Sequence, residues 1–346
     1  MYSHPFRYFR ADSLKAAVQL LKQHGPDARL LAGGQSLIPL MKMRLARPSV
    51  LVDINSIPNL NHIERRNGEL RIGALARHAD VAASDAAAAI PILHDCADGI
   101  ADVQVRNQGT VGGSVAEADP SGDWGAVLLT LETTVRCFGP GGERTVKLED
   151  FLKDAYTTAL GPEELVREIS VKVPAKGSGG AYLAFKRCAP VYATVSAAVQ
   201  LTLEGKNVCR DARIVLGCVG LTAIRATHAE FELRGAEITE RKIKAAAEAA
   251  RAAAQPASSP ARFWSISSAR SSTSPARTSA ATPPTAAPAL FFSTAAPSSP
   301  ARSSPPWPTA AKSPPSKASP RMARPIRFRK RSPLATASSA AIARPA

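Results

Sequence analysis

The chain has few cysteines, and no two of them lie close together in the sequence. The five are Cys96, Cys137, Cys188, Cys209 and Cys218. An odd number of scattered cysteines, never spaced as C-x-x-C, excludes a disulfide framework and gives no metal or iron-sulfur motif. His62, His78 and His94 also lack metal-ligand spacing, and we expect them to be surface or helix-capping residues.

Long apolar runs are also missing. No stretch of 18 residues is apolar throughout, and the N-terminal segment MYSHPFRYFRADSLKAA lacks the apolar core of a signal peptide. The sequence therefore predicts a soluble, reduced, cytoplasmic protein with no membrane partner.

Acidic residues are absent from one part of the chain. Residues 256–346 contain no Asp, Glu or Gly but carry 13 of the 44 basic residues and 17 of the 28 prolines. The preceding 255 residues keep 31 basic and 28 acidic residues, so the net charge of +16 falls to +3 there. The Pro/Ser/Ala/Arg-rich composition of 256–346 cannot bury enough apolar surface to offset its ordering entropy, and we predict that this tail is disordered.

Helix and strand patterns alternate over the rest of the sequence, which predicts an α+β architecture. Residues 1–57 combine a helix that begins after Asp12 or Ser13 and ends at Gly25 with the strands ARLL and VLVDI and the helical stretch LIPLMKMRLA. Residues 58–175 join strands such as ELRIGAL and TTVRCFG to helical stretches. Residues 178–255 give three strand patterns and then a helix with Thr239 as N-cap.

Two glycine-containing segments carry the clearest chemical signal, LAGGQS at 31–36 and GTVGGS at 109–114. Glycine permits positive φ and close approach of a ligand, so a Gly-Gly pair followed by Ser can direct several N–H groups toward one anion. We therefore predict two loops that hold a diphosphate between two lobes. Neither segment has the G-x-G-x-x-G spacing of a Rossmann NAD domain or the phosphate-loop spacing, and for a single Gly-Gly pair a tight turn is the alternative.

The longer segments AGGQSLIPLMKMRLARPSVLVDI and VRNQGTVGGSVAEADPSGDW resemble the FAD-binding medium subunit of the molybdenum hydroxylases, the group that contains carbon monoxide dehydrogenase and xanthine dehydrogenase. The resemblance covers residues 1–255. It implies a two-lobed FAD-binding domain of the vanillyl-alcohol-oxidase type, with lobes at 1–57 and 58–175. A smaller sheet-and-helix flavoprotein C-terminal domain would follow at 178–255.

The same resemblance assigns cofactor-binding roles to individual residues. Asp123 would hydrogen-bond the adenosine portion of FAD, Lys186 would place positive charge beside the pyrimidine edge of the flavin, and Tyr192 would pack over the isoalloxazine. Without the resemblance, Asp123 could be a helix N-cap, Lys186 a solvated strand residue and Tyr192 a core side chain. The diphosphate and ribityl chain would be wrapped by Ala32, Gly33, Gly34, Gln35, Ser36, Thr110, Val111, Gly112, Gly113 and Ser114.

The resemblance also implies an oxidoreductase subunit that binds FAD but carries no catalytic residue and no metal. Molybdopterin would be held by a large partner subunit and [2Fe-2S] clusters by a small one, in a dimer of heterotrimers. Electrons would pass from the clusters through FAD to a final acceptor. Two alternatives remain: a polyanion-binding protein that uses the basic tail, and a free-standing FAD oxidase, for which the sequence provides no substrate-shaping domain or evident base.

Two features depart from the family pattern. The family often has His or Asn at the position of Gln35, a polar exchange that should preserve binding. The last family domain normally continues past the position of Gln255 to a final helix, whereas this chain has the Pro/Ser/Ala/Arg tail. A shifted reading frame in a GC-rich gene would give this composition, so we expect a truncated third domain that assembles weakly.

Overall fold

The computed structural model describes residues 2–188, 190–205 and 207–254. These ranges contain sheets of three, five and four strands and a two-stranded ribbon. The predicted α+β fold class is confirmed. The predictions for the tail, namely disorder, a shifted reading frame and polyanion binding, fall on residues outside the described ranges.

The N-terminal lobe is a parallel sheet with one long helix packed on it. Its elements are β1 (Arg7–Arg10), α1 (Leu14–His24), β2 (Ala28–Leu31), α2 (Leu37–Lys42) and β3 (Val50–Asp53). The strand order is β1-β3-β2. Ser13 is the N-cap of α1, its Oγ accepting from the Ala16 N–H at 3.2 Å, and the helix ends at Gly25, where φ is 54°. The buried face of α1, including Val18 and Leu21, packs in one core with the strands.

The second lobe packs helices against an antiparallel sheet of order β4-β5-β10-β6-β7. Trp124 and Phe151 are among the largest side chains in its core and are almost fully buried. The elements of this lobe are β4 (Ile63–Arg66), β5 (Glu69–Gly73), α3 (His78–Ala83), α4 (Pro91–Gly99), α5 (Val103–Gln108), α6 (Val111–Glu117), α7 (Asp123–Thr130), β6 (Thr133–Gly139), β7 (Gly142–Lys147), α8 (Leu148–Phe151), β8 (Leu152–Asp154), β9 (Thr157–Thr158) and β10 (Leu165–Lys172).

The second glycine segment is a helix and not the loop that the sequence predicts. Thr110 is the N-cap of α6, because its Oγ1 accepts from the Gly113 N–H at 3.1 Å. Glycine ordinarily disfavours a helix interior by about 1 kcal/mol. Here packing overrides that preference, since a Cβ atom added at Gly112 would lie 2.6 Å from the Ala74 Cα. The short α6 therefore presses its main chain directly against the end of β5.

The C-terminal part is an antiparallel sheet of order β11-β12-β13-β14, with its own helices on one face and helices α4 and α7 of the second lobe on the other. Thr239 Oγ1 accepts from the Lys242 N–H at 3.4 Å, as expected for the N-cap of the last helix. No helix of the described residues combines the length and apolar character needed to span a bilayer. The elements of this part are β11 (Ser178–Phe185), β12 (Val195–Glu204), β13 (Val208–Gly217), β14 (Ile224–Arg225), α9 (Thr227–Leu233) and α10 (Glu240–Ala254).

Candidate cofactor site

A cavity of about 590 Å³ lies between the two N-terminal lobes and the segment that follows β11. Its volume falls in the range typical of sites for cofactors and other small molecules. Eleven of the thirteen residues expected to bind the cofactor line it: Ala32, Gly33, Gly34, Gln35, Ser36, Thr110, Gly112, Gly113, Ser114, Asp123 and Tyr192. Of the other two, Val111 is fully buried in the core of the second lobe, and Lys186 directs its ammonium group elsewhere, as described below.

The first glycine segment is a loop that presents main-chain donors. Gly34 has φ of 70°, a conformation that glycine adopts without strain. Its carbonyl accepts from the Ile38 N–H at 3.1 Å, which turns the chain into α2. Among the residues that the structure describes, no acceptor pairs with the N–H groups of Gly34, Gln35 or Ser36. Three donors on one cavity wall provide the chemistry that an anionic group such as a diphosphate requires.

Residues 111–114 of the second glycine segment have already used their main-chain donors. The Val111 and Gly112 N–H groups donate to the Ala76 and Ala74 carbonyls, both at 3.0 Å. The Gly113 and Ser114 N–H groups donate to Oγ1 and the carbonyl of Thr110. The expectation that both segments supply main-chain donors is therefore wrong for residues 111–114. What α6 offers the cavity is a close-packed wall and the hydroxyl of Ser114.

The two glycine segments touch each other. A Cβ atom added at Gly33 would overlap the Gln108 carbonyl oxygen and lie 2.8 Å from the Gly109 Cα. Glycine at position 33 is therefore required for this approach of two main chains. The sequence analysis explained the glycines by the close approach of a ligand. At Gly33 the structure shows instead that glycine allows the two lobes to come into contact.

Asp123 lies at the boundary between the cavity and the C-terminal sheet. It is the first residue of α7 and Gly122 is the N-cap, so the N-cap alternative is wrong. Its carboxylate accepts from the Tyr182 hydroxyl at 2.5 Å, and the Lys186 Nζ lies 3.8 Å away. Burial raises the pKa of Asp123, while the Tyr182 hydrogen bond and the Lys186 charge oppose that rise.

Lys186 is not a solvated strand residue. Its side chain is 13% exposed, and its Nζ donates to the Gly99 carbonyl at 2.6 Å. The sequence analysis missed Tyr182, although β11 contains a signal for it. Because side chains alternate along a strand, Tyr182 and Ala184 share a face, and the same spacing continues to Lys186.

Tyr192 lines the cavity beyond the end of β11. The residue is 60% exposed, so the core alternative is wrong for it. An exposed aromatic ring on a cavity wall is available to contact a bound planar group. Its assignment to the isoalloxazine remains a prediction.

His78, expected at the surface or as a helix cap, is a buried side chain on the cavity wall. It is 5% exposed, and its Nδ1 accepts from the Trp124 Nε1–H at 3.1 Å. Burial, aided by the charge of Arg77, lowers its pKa to about 4. His62 pairs with Glu168 at 3.0 Å, whereas His94 is exposed as expected. Across the described residues, no group of three or more His, Cys, Asp and Glu side chains could hold a metal ion.

Comparison with known proteins places this geometry in a family. Residues 4–176 match the model of the FAD binding domain in molybdopterin dehydrogenase, and residues 180–263 match that of the CO dehydrogenase flavoprotein C-terminal domain. The chain belongs to the medium-chain family of molybdenum hydroxylases. It is therefore a FAD-binding subunit of an oxidoreductase.

Individual relatives agree with this assignment. The chain is 41% identical to the 6-hydroxypseudooxynicotine dehydrogenase complex subunit alpha of Paenarthrobacter nicotinovorans, over 71% of this chain and 83% of that protein. It is 40% identical to the carbon monoxide dehydrogenase medium chain of Hydrogenophaga pseudoflava, over 73% of this chain and 88% of that protein. A solved structure of carbon monoxide dehydrogenase from the same organism, lacking the Mo-pyranopterin moiety, matches with a TM-score of 0.71 and 41% identity, over 73% and 88%.

Proposed function

We propose that this subunit transfers electrons from the [2Fe-2S] clusters of a small partner subunit, through its FAD, to a final acceptor. The observation that carries the proposal is the cavity wall of Gly34, Gln35 and Ser36, whose main-chain donors have no partner among the described residues. Bound FAD supplies redox chemistry that can link one-electron and two-electron carriers. The chain itself binds and orients that group, so the proposal assigns no catalytic acid or base to it.

The described residues divide these tasks by their chemistry. The loop 32–36 provides main-chain donors for the diphosphate, and 110–114 provides the opposite wall with the Ser114 hydroxyl. Asp123, which lines the cavity, would accept a hydrogen bond from a ribose or adenine group. Lys186 adds positive charge 3.8 Å from that carboxylate, and Tyr192 offers an exposed ring to the flavin. These individual roles are part of the proposal.

The partners in the proposal are a large molybdopterin subunit and a small [2Fe-2S] subunit, assembled as a cytoplasmic dimer of heterotrimers. Support comes from the names of the relatives, which are a medium chain and a complex subunit. Those names refer to chemically unrelated substrates, carbon monoxide and 6-hydroxypseudooxynicotine. A subunit that binds FAD and leaves substrate oxidation to a partner accounts for such variety within one fold.

Gly34→Ala tests whether the first loop holds FAD. Alanine at this position must adopt a positive φ, which residues with a side chain disfavour, and its Cβ would lie 2.7 Å from the Ile38 Cδ1. The substitution should therefore distort the loop where the main-chain N–H donors lie. We expect FAD affinity to fall at least about tenfold, equivalent to about 1.4 kcal/mol, measured by titrating apoprotein with FAD. Gly235→Ala is the matched control, because φ is 73° there and an added Cβ meets nothing within 4 Å. Equal FAD affinity in wild type and both variants would contradict the loop assignment.

Metal analysis tests the assembly with partner subunits on which the electron-transfer role depends. When the chain is purified from cells that also express those subunits, the fraction that assembles should contain iron and molybdenum in fixed ratio to FAD. The purified chain alone should contain FAD, contain neither metal and oxidise no electron donor. Turnover of a donor by the chain alone would instead favour a free-standing FAD oxidase.

A further inference from the structure

Asn55 and Arg77 form a hydrogen-bonded bridge between the two N-terminal lobes. Asn55 follows β3 in the first lobe, and Arg77 is the N-cap residue of α3 in the second. The Arg77 Nη2 donates to the Asn55 Oδ1 at 2.8 Å. The bridge therefore joins the lobes beside the contact between Gly33 and Gln108.

Each end of the bridge is fixed to one glycine segment. The Asn55 Nδ2 donates to the Ala32 carbonyl at 2.9 Å, at the start of the first loop. The Arg77 Nη1 donates to the Gln108 carbonyl, just before the second segment. The same Asn55 Nδ2 also donates to the Asp53 Oδ1 at 2.7 Å. These two acceptors at Nδ2, a third and longer contact of Nδ2 with the Leu31 carbonyl at 3.4 Å, and one cationic donor at Oδ1 fix the orientation of the Asn55 amide.

The main chain on both sides is held by further bonds. The Arg77 N–H donates to the Asp80 Oδ2 at 3.1 Å, which anchors the start of α3. The His78 N–H donates to the Gly109 carbonyl at 3.2 Å. Because α3 is tied to 108–109 in this way, a change at Arg77 acts on the position of the second segment relative to the first.

Neither side chain is among the described residues of the cavity wall. Their effect on a ligand must therefore pass through the main chain that they hold. We propose that Asn55 and Arg77 are positioning residues for FAD, fixing the spacing between the first loop and the 108–114 segment so that the unpaired donors of 34–36 face the diphosphate. This inference rests on the proposed function.

The bridge should contribute more to affinity than to folding. Asn55 is exposed and Arg77 is half-buried, so water can replace their lost partners in the unliganded protein. In the complex, a loop that has lost its anchor must be ordered when FAD binds, which weakens binding. The two residues act as one unit, so their effects should not add.

The test is a double-mutant cycle of FAD affinity in full-length apoprotein. We expect Asn55→Ala and Arg77→Ala each to weaken FAD binding about five- to tenfold, the size expected for one or two lost hydrogen bonds. The double variant should be no weaker than the weaker single variant. Arg77→Lys keeps the charge, but its single ammonium group cannot reach both acceptors as the guanidinium does. Its FAD affinity should lie between those of wild type and Arg77→Ala.

Asn207→Ala is the matched control. Asn207 is also an exposed asparagine whose Nδ2 donates to a main-chain carbonyl, that of Ile238 at 2.8 Å, but it lies in the C-terminal part, just before β13. Asn207→Ala should leave FAD affinity unchanged. It should lower the melting temperature of the apoprotein at least as much as Asn55→Ala does, because φ at residue 207 is 67°, a conformation that alanine disfavours.

Unchanged FAD affinity in the single variants, fully additive effects, or an equal loss in Asn207→Ala would overturn the proposed bridge while leaving FAD binding itself in place. A wild-type protein that takes up no FAD would overturn both the bridge and the proposed function.

Discussion

His78 shows at the scale of one residue how burial determines chemistry. The imidazole accepts from the Trp124 indole, so the neutral ring must carry its proton on Nε2. Protonation of Nδ1 would break that bond in a site that water hardly reaches. The sequence around His78 contains no sign of this, because Trp124 lies 46 positions away and only the fold brings it near.

The acid stability of the protein should depend on His78. Its pKa is about 4 in the folded protein against an ordinary value of 6.5, so between these values the unfolded chain binds more protons. The free energy of unfolding should therefore fall as the pH drops from about 6.5 to about 4. His78→Gln removes this titration. The loss in the free energy of unfolding between about pH 7.5 and pH 4.5 should therefore be smaller in the variant by roughly 2–3 kcal/mol, measured by urea unfolding at both pH values.

His94→Gln is the control for that experiment, because it removes an exposed imidazole in place of a buried one. If the free energy of unfolding fell equally at low pH in wild type and in His78→Gln, the fold would not be holding the imidazole neutral.

At the scale of elements, sequence reasoning succeeded where local signals agree. Helix α1 combines an apolar face with Ser13 before it and Gly25 after it, and both boundaries match the structure. Sequence reasoning missed β1, which is four residues long and forms by parallel pairing with β3, in the register that aligns Arg7 with Val50. It also missed α9. Elements that depend on distant partners leave little pattern in their own residues.

The N-cap of α6 should affect both folding and FAD binding. Thr110→Val removes the acceptor of the Gly113 N–H at a residue that is 3% exposed and lines the cavity. We expect a loss of about 1 kcal/mol in the free energy of unfolding and weaker FAD binding. Urea unfolding and FAD titration measure the two effects separately.

Ser13→Ala provides the comparison, since Ser13 caps α1 with the same kind of bond. Its cost in the free energy of unfolding should be similar, about 1 kcal/mol, with FAD affinity unchanged. Equal FAD affinity in Thr110→Val and wild type would mean that the start of α6 is not part of the site.

For the whole molecule, the sequence identified the family and the cofactor but not how the lobes meet. The paired motifs were sufficient for the family because they occur together in a fixed order. The contact of Gly33 with Gln108 and the bridge from Asn55 to Arg77 join residues 75 and 22 positions apart, respectively. Such contacts depend on the relative position of two folded units, and no local periodicity encodes that position.

The central claim is that FAD lies in the cavity between the two N-terminal lobes, with its diphosphate on the first loop. A crystal structure of the protein with FAD tests it most directly. The account predicts flavin electron density in this cavity, with phosphate oxygens within hydrogen-bonding distance of the N–H groups of Gly34, Gln35 and Ser36. FAD bound at another place, or bound here with its phosphates turned away from 34–36, would contradict it.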